Sequence, residues 1–278
     1  MRISIVQTSL HWENPEANRL MLAEKIAPLK GLSDLVVLPE MFSTGFSMNA
    51  EVLAESMDGA TIHWMRGIAA DLNAAVTGSF ICKSEGHFFN RLVFMQPDGQ
   101  FEFYDKKHLF KLASEQEFFE SGKKRLTVAW RGWRICPLIC YDLRFPVWSR
   151  NSPTPSIPLT VERSMHPANA NNEHEGYDLL IYVANWPNKR AHHWSALLTA
   201  RAIENQCYVA GVNIAGTDGN GYEYSGDSSI IDFSGQQFAH ISDGKEQIAT
   251  VELSLENLWT YRQQLPFLAD ADLFEIKG

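Results

Sequence analysis

The chain has 278 residues, 45% of them hydrophobic and 21% charged, with a net charge of -9 at pH 7. That is the composition of a globular protein, and an acidic balance with scattered lysines and arginines excludes a basic footprint for nucleic acid or an anionic membrane. No uninterrupted apolar run approaches bilayer length, and four cysteines (Cys82, Cys136, Cys140, Cys207) in a chain this long do not form a disulfide scaffold, so a reducing cytoplasm is expected.

The opening "MRISIVQTSL" alternates over residues 2–9 as a strand and lacks the layout of a signal peptide. A helix is expected from about Pro15 to Leu29. "DLVVLPE" (34–40) is a short apolar run stopped by Pro39, which suits a strand covered on both faces. Residues 61–74 read as a helix and "AAVTGSFICK" as the next strand. "LVFMQ" and "QFEFYDK" flank Pro97-Asp98-Gly99, a strong hairpin turn. Lys123-Lys124-Arg125 reads as a surface turn. "LTVAW" and "WRICPLIC" give two strands around Arg131-Gly132.

Residues 151–176 are rich in proline and asparagine and lack periodicity, so they read as an insertion, either a plain surface excursion or a lid. "YDLLIYVANW" (177–186) is another buried strand. From Asn188 to Asn205 the residues Ala191, Trp194, Leu198 and Ala202 recur at helical spacing. "CYVAGVNIAG" is a strand, "YEYSGDSSIIDFSGQQFAHI" a hairpin turning at Ser234-Gly235, and the tail from Leu253 a short helix followed by irregular acidic sequence. Alternating strands and helices with interleaved hairpins predict a layered α/β sandwich with mixed sheets.

In such sheets, ligands bind beyond the carboxyl ends of the strands. Reading those ends gives Glu40 after the strand at 35–38, Lys106 after 101–105, Cys140 after 135–139 and Asn185-Trp186 after 179–184. A thiol becomes a useful nucleophile when a base takes its proton or a nearby cation lowers its pKa. A carboxylate in a partly dry pocket can be that base and later an acid. A lysine can hold the oxyanion formed when a carbonyl is attacked, and the backbone N–H of Tyr141 would be a second donor. Each residue alone has a plainer reading: an exposed strand end, a solvated hairpin lysine, a core cysteine. Their order and shared setting favour the joint one.

"LPEMFSTGF", "YDKKHLF" and "CYDLRFP" resemble the three signature segments of the nitrilase superfamily of carbon–nitrogen hydrolases, and "ARAIENQCYVAGVN" extends the resemblance over nearly all of the chain. The resemblance implies one domain over 1–278, an αββα sandwich, no cofactor, a homodimer or higher homo-oligomer, and a Glu-Lys-Cys triad falling on Glu40, Lys106 and Cys140. It also implies a further glutamate seven residues before a glycine. In "SEQEFFESG" that is Glu115 ahead of Gly122, placed to orient Lys106 or the thiol. Residues 151–176 are the main departure from the family pattern.

"CYDLRFP" with "YVANWP" is most similar to the omega-amidase branch, which implies hydrolysis of the terminal amide of 2-oxoglutaramate or 2-oxosuccinamate. A carboxylate-bearing substrate calls for a cation. Arg144 is one candidate, although the favoured reading is that Asp142 and Arg144 pair with neighbours to brace the turn. Phe46 and Trp186 are candidates for an apolar wall around a short chain, or for core packing. An N-carbamoyl amino acid hydrolase, another amidase or nitrilase, and a non-catalytic binding protein on the same scaffold remain open.

Metal binding is not expected: Cys136 and Cys140 have no further ligands, and His166 and His174 have no partners. His192 and His193 read as exposed positions heading a helix. "GTDGNG" lacks a dinucleotide setting.

Overall fold

A computed structural model describes residues 1–152, 176–242 and 244–272. The interior of the expected insertion, residues 153–175, and with it His166 and His174, lies outside the described residues.

Strand β1 (Arg2–Gln7) leads into helix α1 (Pro15–Ile26), which Asn14 caps by accepting the Ala17 N–H. β2 (Leu35–Val37) is followed by a short helix α2 (Ala50–Leu53), then by α3 (Ala60–Leu72), β3 (Ala75–Ser84), β4 (His87–Met95) and β5 (Phe101–Asp105). These strands form one six-stranded sheet, whose sixth member arrives only near the end of the chain. After α4 (Glu115–Phe118) a second sheet begins with β6 (Val128–Trp130) and β7 (Trp133–Ile139). It continues past α5 (Pro146–Ser149) with β8 (Leu179–Ala184), α6 (Ala191–Asn205) and β9 (Tyr208–Asn213).

The stretch 222–241, read above as one hairpin, divides between two sheets. β10 (Ala215–Thr217) and β11 (Glu223–Ser225) make a separate two-stranded ribbon, and only β12 (Ser228–Ile231) and β13 (Gln237–Ile241) form the hairpin at Ser234-Gly235. β14 (Gln247–Glu252), which the sequence reading did not anticipate, returns to pair antiparallel with β1, and α7 (Leu255–Gln264) follows. β14 is an edge strand with no fully buried residue, so its apolar pattern is faint. The sheet orders are β14-β1-β2-β3-β4-β5 and β13-β12-β9-β8-β7-β6, each mixing parallel and antiparallel pairs.

The period-2 alternation of strand side chains sorts the core. Ile3, Ile5, Leu35, Val37 and Phe94 of the first sheet share one apolar cluster with Ile135, Ile181 and Val212 of the second. Val6, Val36 and Val76 instead join Leu22 and Ile26 of α1 and Ile62, Met65 and Ala69 of α3 in another cluster. On the far side of the second sheet, Trp194, Leu198 and Ala202 of α6 pack onto β9. A side chain at Gly211 would collide with Leu198 there, so glycine lets the helix approach the strand closely. The layers are therefore helix, sheet, sheet, helix: the expected αββα sandwich.

No helix among the described residues is long and apolar enough to cross a membrane, and no group of three His, Cys, Asp or Glu among them could hold a metal ion.

Candidate active site

β2, β5, β7 and β8 end at one place, and the buried polar side chains of Glu40, Asn90, Lys106, Glu115 and Asn185 gather there. Pro39 has no N–H to continue a ladder, so the chain leaves the first sheet after β2. It is caught by β3: Met41 N–H donates to Ser79 Oγ (2.9 Å) and Phe42 N–H to the Ser79 carbonyl (3.0 Å). Glu40 is thereby turned inward and is fully buried. Its Oε1 accepts from Lys106 Nζ (2.9 Å) and Asn90 Nδ2 (2.8 Å), and its Oε2 from the Asn185 N–H (2.8 Å). Asn185 Nδ2 also donates to the Glu40 carbonyl (2.7 Å), so the end of β8 is stitched to the end of β2 across the two sheets.

Lys106 follows β5 and is likewise buried. Its ammonium donates to both oxygens of Glu115 at 3.0 Å as well as to Glu40. Burial alone would push this lysine down, but the charges of Glu115 and Glu40 outweigh it and hold the ammonium protonated well above its ordinary pKa. Glu115 moves upward, because burial and the nearby Glu40 charge overcome the attraction of Lys106. Glu115 Oε2 also accepts from the Phe110 N–H (2.5 Å).

Gly122 closes the loop over this lysine: its N–H donates to the Lys106 carbonyl (2.9 Å), and a Cβ there would strike the Asp105 carbonyl. Gly122→Ala is expected to cost about 1–3 kcal/mol in chemical denaturation and to lower activity by displacing the Lys106 strand end. An alanine variant of unchanged stability would contradict this packing.

Cys140 stands at the first position of a 3-10 turn (Cys140–Arg144) with φ +43°. A non-glycine residue in the left-handed region is strained by about 1–2 kcal/mol, and the turn projects the side chain out of the ladder. Cys82, Cys136 and Cys207 are 0% exposed, whereas Cys140 is 9% exposed and lines a cavity. Burial, followed by the charge and hydrogen bonding of Glu40, pushes its thiol well above the ordinary value, and Lys106 opposes them only in part.

The turn is braced from behind by Asp142, fully buried. Its Oδ2 accepts from Tyr104 Oη (2.7 Å) and the Ile139 N–H (3.1 Å), while Oδ1 accepts from the His108 N–H (3.0 Å) and pairs with His108 Nδ1 (2.7 Å). His108 lies two residues past Lys106 and stacks on Phe145 at 3.7 Å, so one carboxylate ties the lysine's strand end to the cysteine's turn.

Asp142 braces the turn by pairing with neighbours, as expected, whereas Arg144 faces the cavity with its guanidinium 4.7 Å from the Trp186 ring centroid. The physical reason is the tight turn, which directs the two side chains to opposite sides.

The cavity holds about 390 Å³ and is reached by Cys140, Lys106, Phe46, Tyr141, Arg144 and Trp186, at the small end of the range typical of small-molecule sites. Phe46 stands with its ring centroid 5.1 Å from Lys106 Nζ. Trp186 both faces the cavity and packs on Trp194 at 5.6 Å. Every candidate residue named from the sequence is therefore at this one place.

Asn90, Asn185 as a bridge, and the ribbon β10–β11, which adds Asp218, Tyr222 and Tyr224 to the wall, were not picked out from the sequence. A buried asparagine inside an apolar strand such as "HFFNRLVFM" is the kind of signal that marks the first of these.

A family model described as carbon-nitrogen hydrolase matches residues 2–263. The omega-amidase YafV of Escherichia coli K12 is 41% identical over 276 residues, covering 99% of this chain and 98% of that protein. A 2-oxoglutaramate amidase of Bacillus subtilis is 30% identical, covering 96% of each. Among solved structures, XC1258 of Xanthomonas campestris, a CN-hydrolase superfamily protein with an arsenic adduct in its active site, superimposes with a TM-score of 0.90 at 45% identity, covering 100% of this chain and 99% of that one.

Proposed function

Because the chain belongs to the carbon-nitrogen hydrolase family, we propose that it hydrolyses the terminal amide of a small 2-oxo acid amide, such as 2-oxoglutaramate or 2-oxosuccinamate, through a thioester on Cys140. The observation that carries this reading is the buried Glu40–Lys106–Glu115 cluster beside a strained, cavity-facing thiol. The substrate class is supported by similarity to the E. coli omega-amidase and the B. subtilis 2-oxoglutaramate amidase.

A thiol held above its ordinary pKa keeps its proton until the substrate is in place. Glu40 takes that proton as Sγ bonds to the amide carbon, and the carbonyl π pair moves to oxygen. Lys106 has three N–H donors, directed at rest to carboxylate oxygens. Turning one toward the new oxyanion, with the Tyr141 N–H as second donor, stabilises the tetrahedral intermediate. The C–N bond breaks as Glu40 returns the proton to nitrogen, releasing ammonia and leaving the thioester. Water, deprotonated by Glu40, adds to the thioester, and departure of the thiol yields the acid.

Glu115 positions Lys106 and raises its charge-holding power without touching the substrate. Phe46 and Trp186 bound the short carbon chain, and Arg144 meets the substrate carboxylate. The proposal needs no cofactor. It includes a homodimer or larger homo-oligomer, measurable by light scattering, in a reducing cytoplasm, consistent with four free cysteines.

Ammonia release should be measured from 2-oxoglutaramate, 2-oxosuccinamate, N-carbamoyl amino acids and simple nitriles. We expect kcat/KM to be at least tenfold higher for the 2-oxo acid amides. A preference for the carbamoyl compounds or nitriles would move the assignment to another branch of the family, and no turnover of any would favour a binding protein on this scaffold.

A further inference from the structure

Arg190 is a second guanidinium on the cavity wall, contributed by the turn that precedes α6 and by no motif considered above. Its backbone is fixed, since its carbonyl accepts from Trp186 Nε1 at 2.9 Å. Its side chain is half-buried, with the guanidinium carbon 5.5 Å from the Phe110 ring centroid, as that of Arg144 stands 4.7 Å from Trp186. An aromatic contact of this kind engages a guanidinium without a carboxylate and leaves its N–H edge available to a ligand. Arg144 Nη2 meets His193 Nδ1 at 3.1 Å.

Neither arginine has a carboxylate partner among the described residues. The nearby acid, Asp218, is occupied within its own ribbon: its Oδ1 accepts from the Asn220 and Tyr222 N–H groups, both at 2.9 Å, and its Oδ2 from Tyr224 Oη at 2.8 Å. Burial and then the charge of Arg190 press Arg144 below its ordinary value, so the two cations feel each other. Two like charges sharing a small, half-enclosed cavity repel until an anion enters.

We propose that Arg190 is a specificity-determining residue: with Arg144 it holds the anionic end of the substrate while the amide lies against Cys140. A 2-oxo acid offers three oxygens at that end. One guanidinium can take the carboxylate through two parallel N–H bonds, and the other covers the remaining lone pairs and the oxo group. This rests on the amidase reading of the same cavity and adds what selects an anionic amide over a neutral one.

The test compares 2-oxoglutaramate with pentanamide, a neutral amide of the same chain length, in wild type, Arg190→Gln and Arg190→Lys. The ratio of kcat/KM for the two substrates should fall at least tenfold in Arg190→Gln, chiefly through the KM of the anion. Arg190→Lys, which keeps charge but loses the fork, should lie between. An unchanged ratio overturns the proposal, including the case where both substrates decline together, which a merely structural role would give.

Calorimetric titration of 2-oxoglutaramate into Cys140→Ala and into Cys140→Ala/Arg190→Gln separates this from the amidase reading. Binding at least tenfold weaker in the double variant supports Arg190 even if wild type shows no turnover, an outcome that counts against the amidase reading alone. Equal binding in the two, or none in either, overturns the Arg190 assignment.

Discussion

Cys140→Ala is expected to lower ammonia release by at least about 10⁴-fold, since losing the nucleophile of a covalent mechanism removes nearly all that the other groups supply. Mass spectrometry of wild type quenched during turnover should show an acyl adduct on the peptide containing Cys140, and the alanine variant should show none. Retention of more than a tenth of wild-type activity would sink the thioester mechanism. The backbone makes a companion prediction. At φ +43° any side chain is strained, and glycine is not. Cys140→Gly should therefore be about 1 kcal/mol more stable to denaturant than Cys140→Ala, although it removes more atoms. A glycine variant less stable than the alanine variant would show that the turn carries no strain.

That strain was not legible in the sequence, whereas the position of the thiol was. "WRICPLIC" reads as a strand because it is a β-branched and apolar run, and its end fixes Cys140 at the carboxyl edge of β7. The same reasoning placed Glu40 and Lys106, because strand ends follow from local pattern and Pro39 marks one directly. β14 escaped because an edge strand exposed along much of its length has no apolar alternation to read. The ribbon β10–β11 was merged with its neighbours for a similar reason: Ala215–Thr217 and Glu223–Ser225 are three-residue strands whose pairing depends on tertiary contacts.

Partnerships were harder still. The sequence suggests that Asp142 braces its turn through neighbours but does not say which. The partners Asp142 actually takes, Tyr104 and His108, lie 38 and 34 residues away in the chain. Asn185 reaches Glu40 over 145 residues, a contact made only when two sheets pack face to face. Sequence pattern indicates which residues stand at an edge. The sandwich decides which edges meet.

Lys106→Met tests the charge balance at that meeting point, and it should damage both activity and folding. Ammonia release should fall about 10²–10³-fold, the usual cost of removing one oxyanion donor. The folding effect follows from what remains: Glu40 and Glu115, both fully buried, with Asn90 donating to each and no cation between them. Breaking a buried ion pair by removing one partner costs about 3–5 kcal/mol, and proton uptake by one carboxylate is the cheapest escape. Glu115 already lies above its ordinary value with the lysine present, and losing the ammonium moves it further. A carboxyl whose folded pKa exceeds its unfolded value binds more protons when folded, so its contribution is fully present below the unfolded pKa and is lost as pH rises. Urea denaturation should thus show Lys106→Met losing stability more steeply than wild type as pH rises above the ordinary carboxylate range. Lys106→Met/Glu115→Gln, which leaves a single buried charge, should recover most of that loss without recovering turnover. A deficit independent of pH, or one that the second substitution does not relieve, would mean that Lys106 supports this site by filling space, and that its charge is not what holds the two carboxylates together.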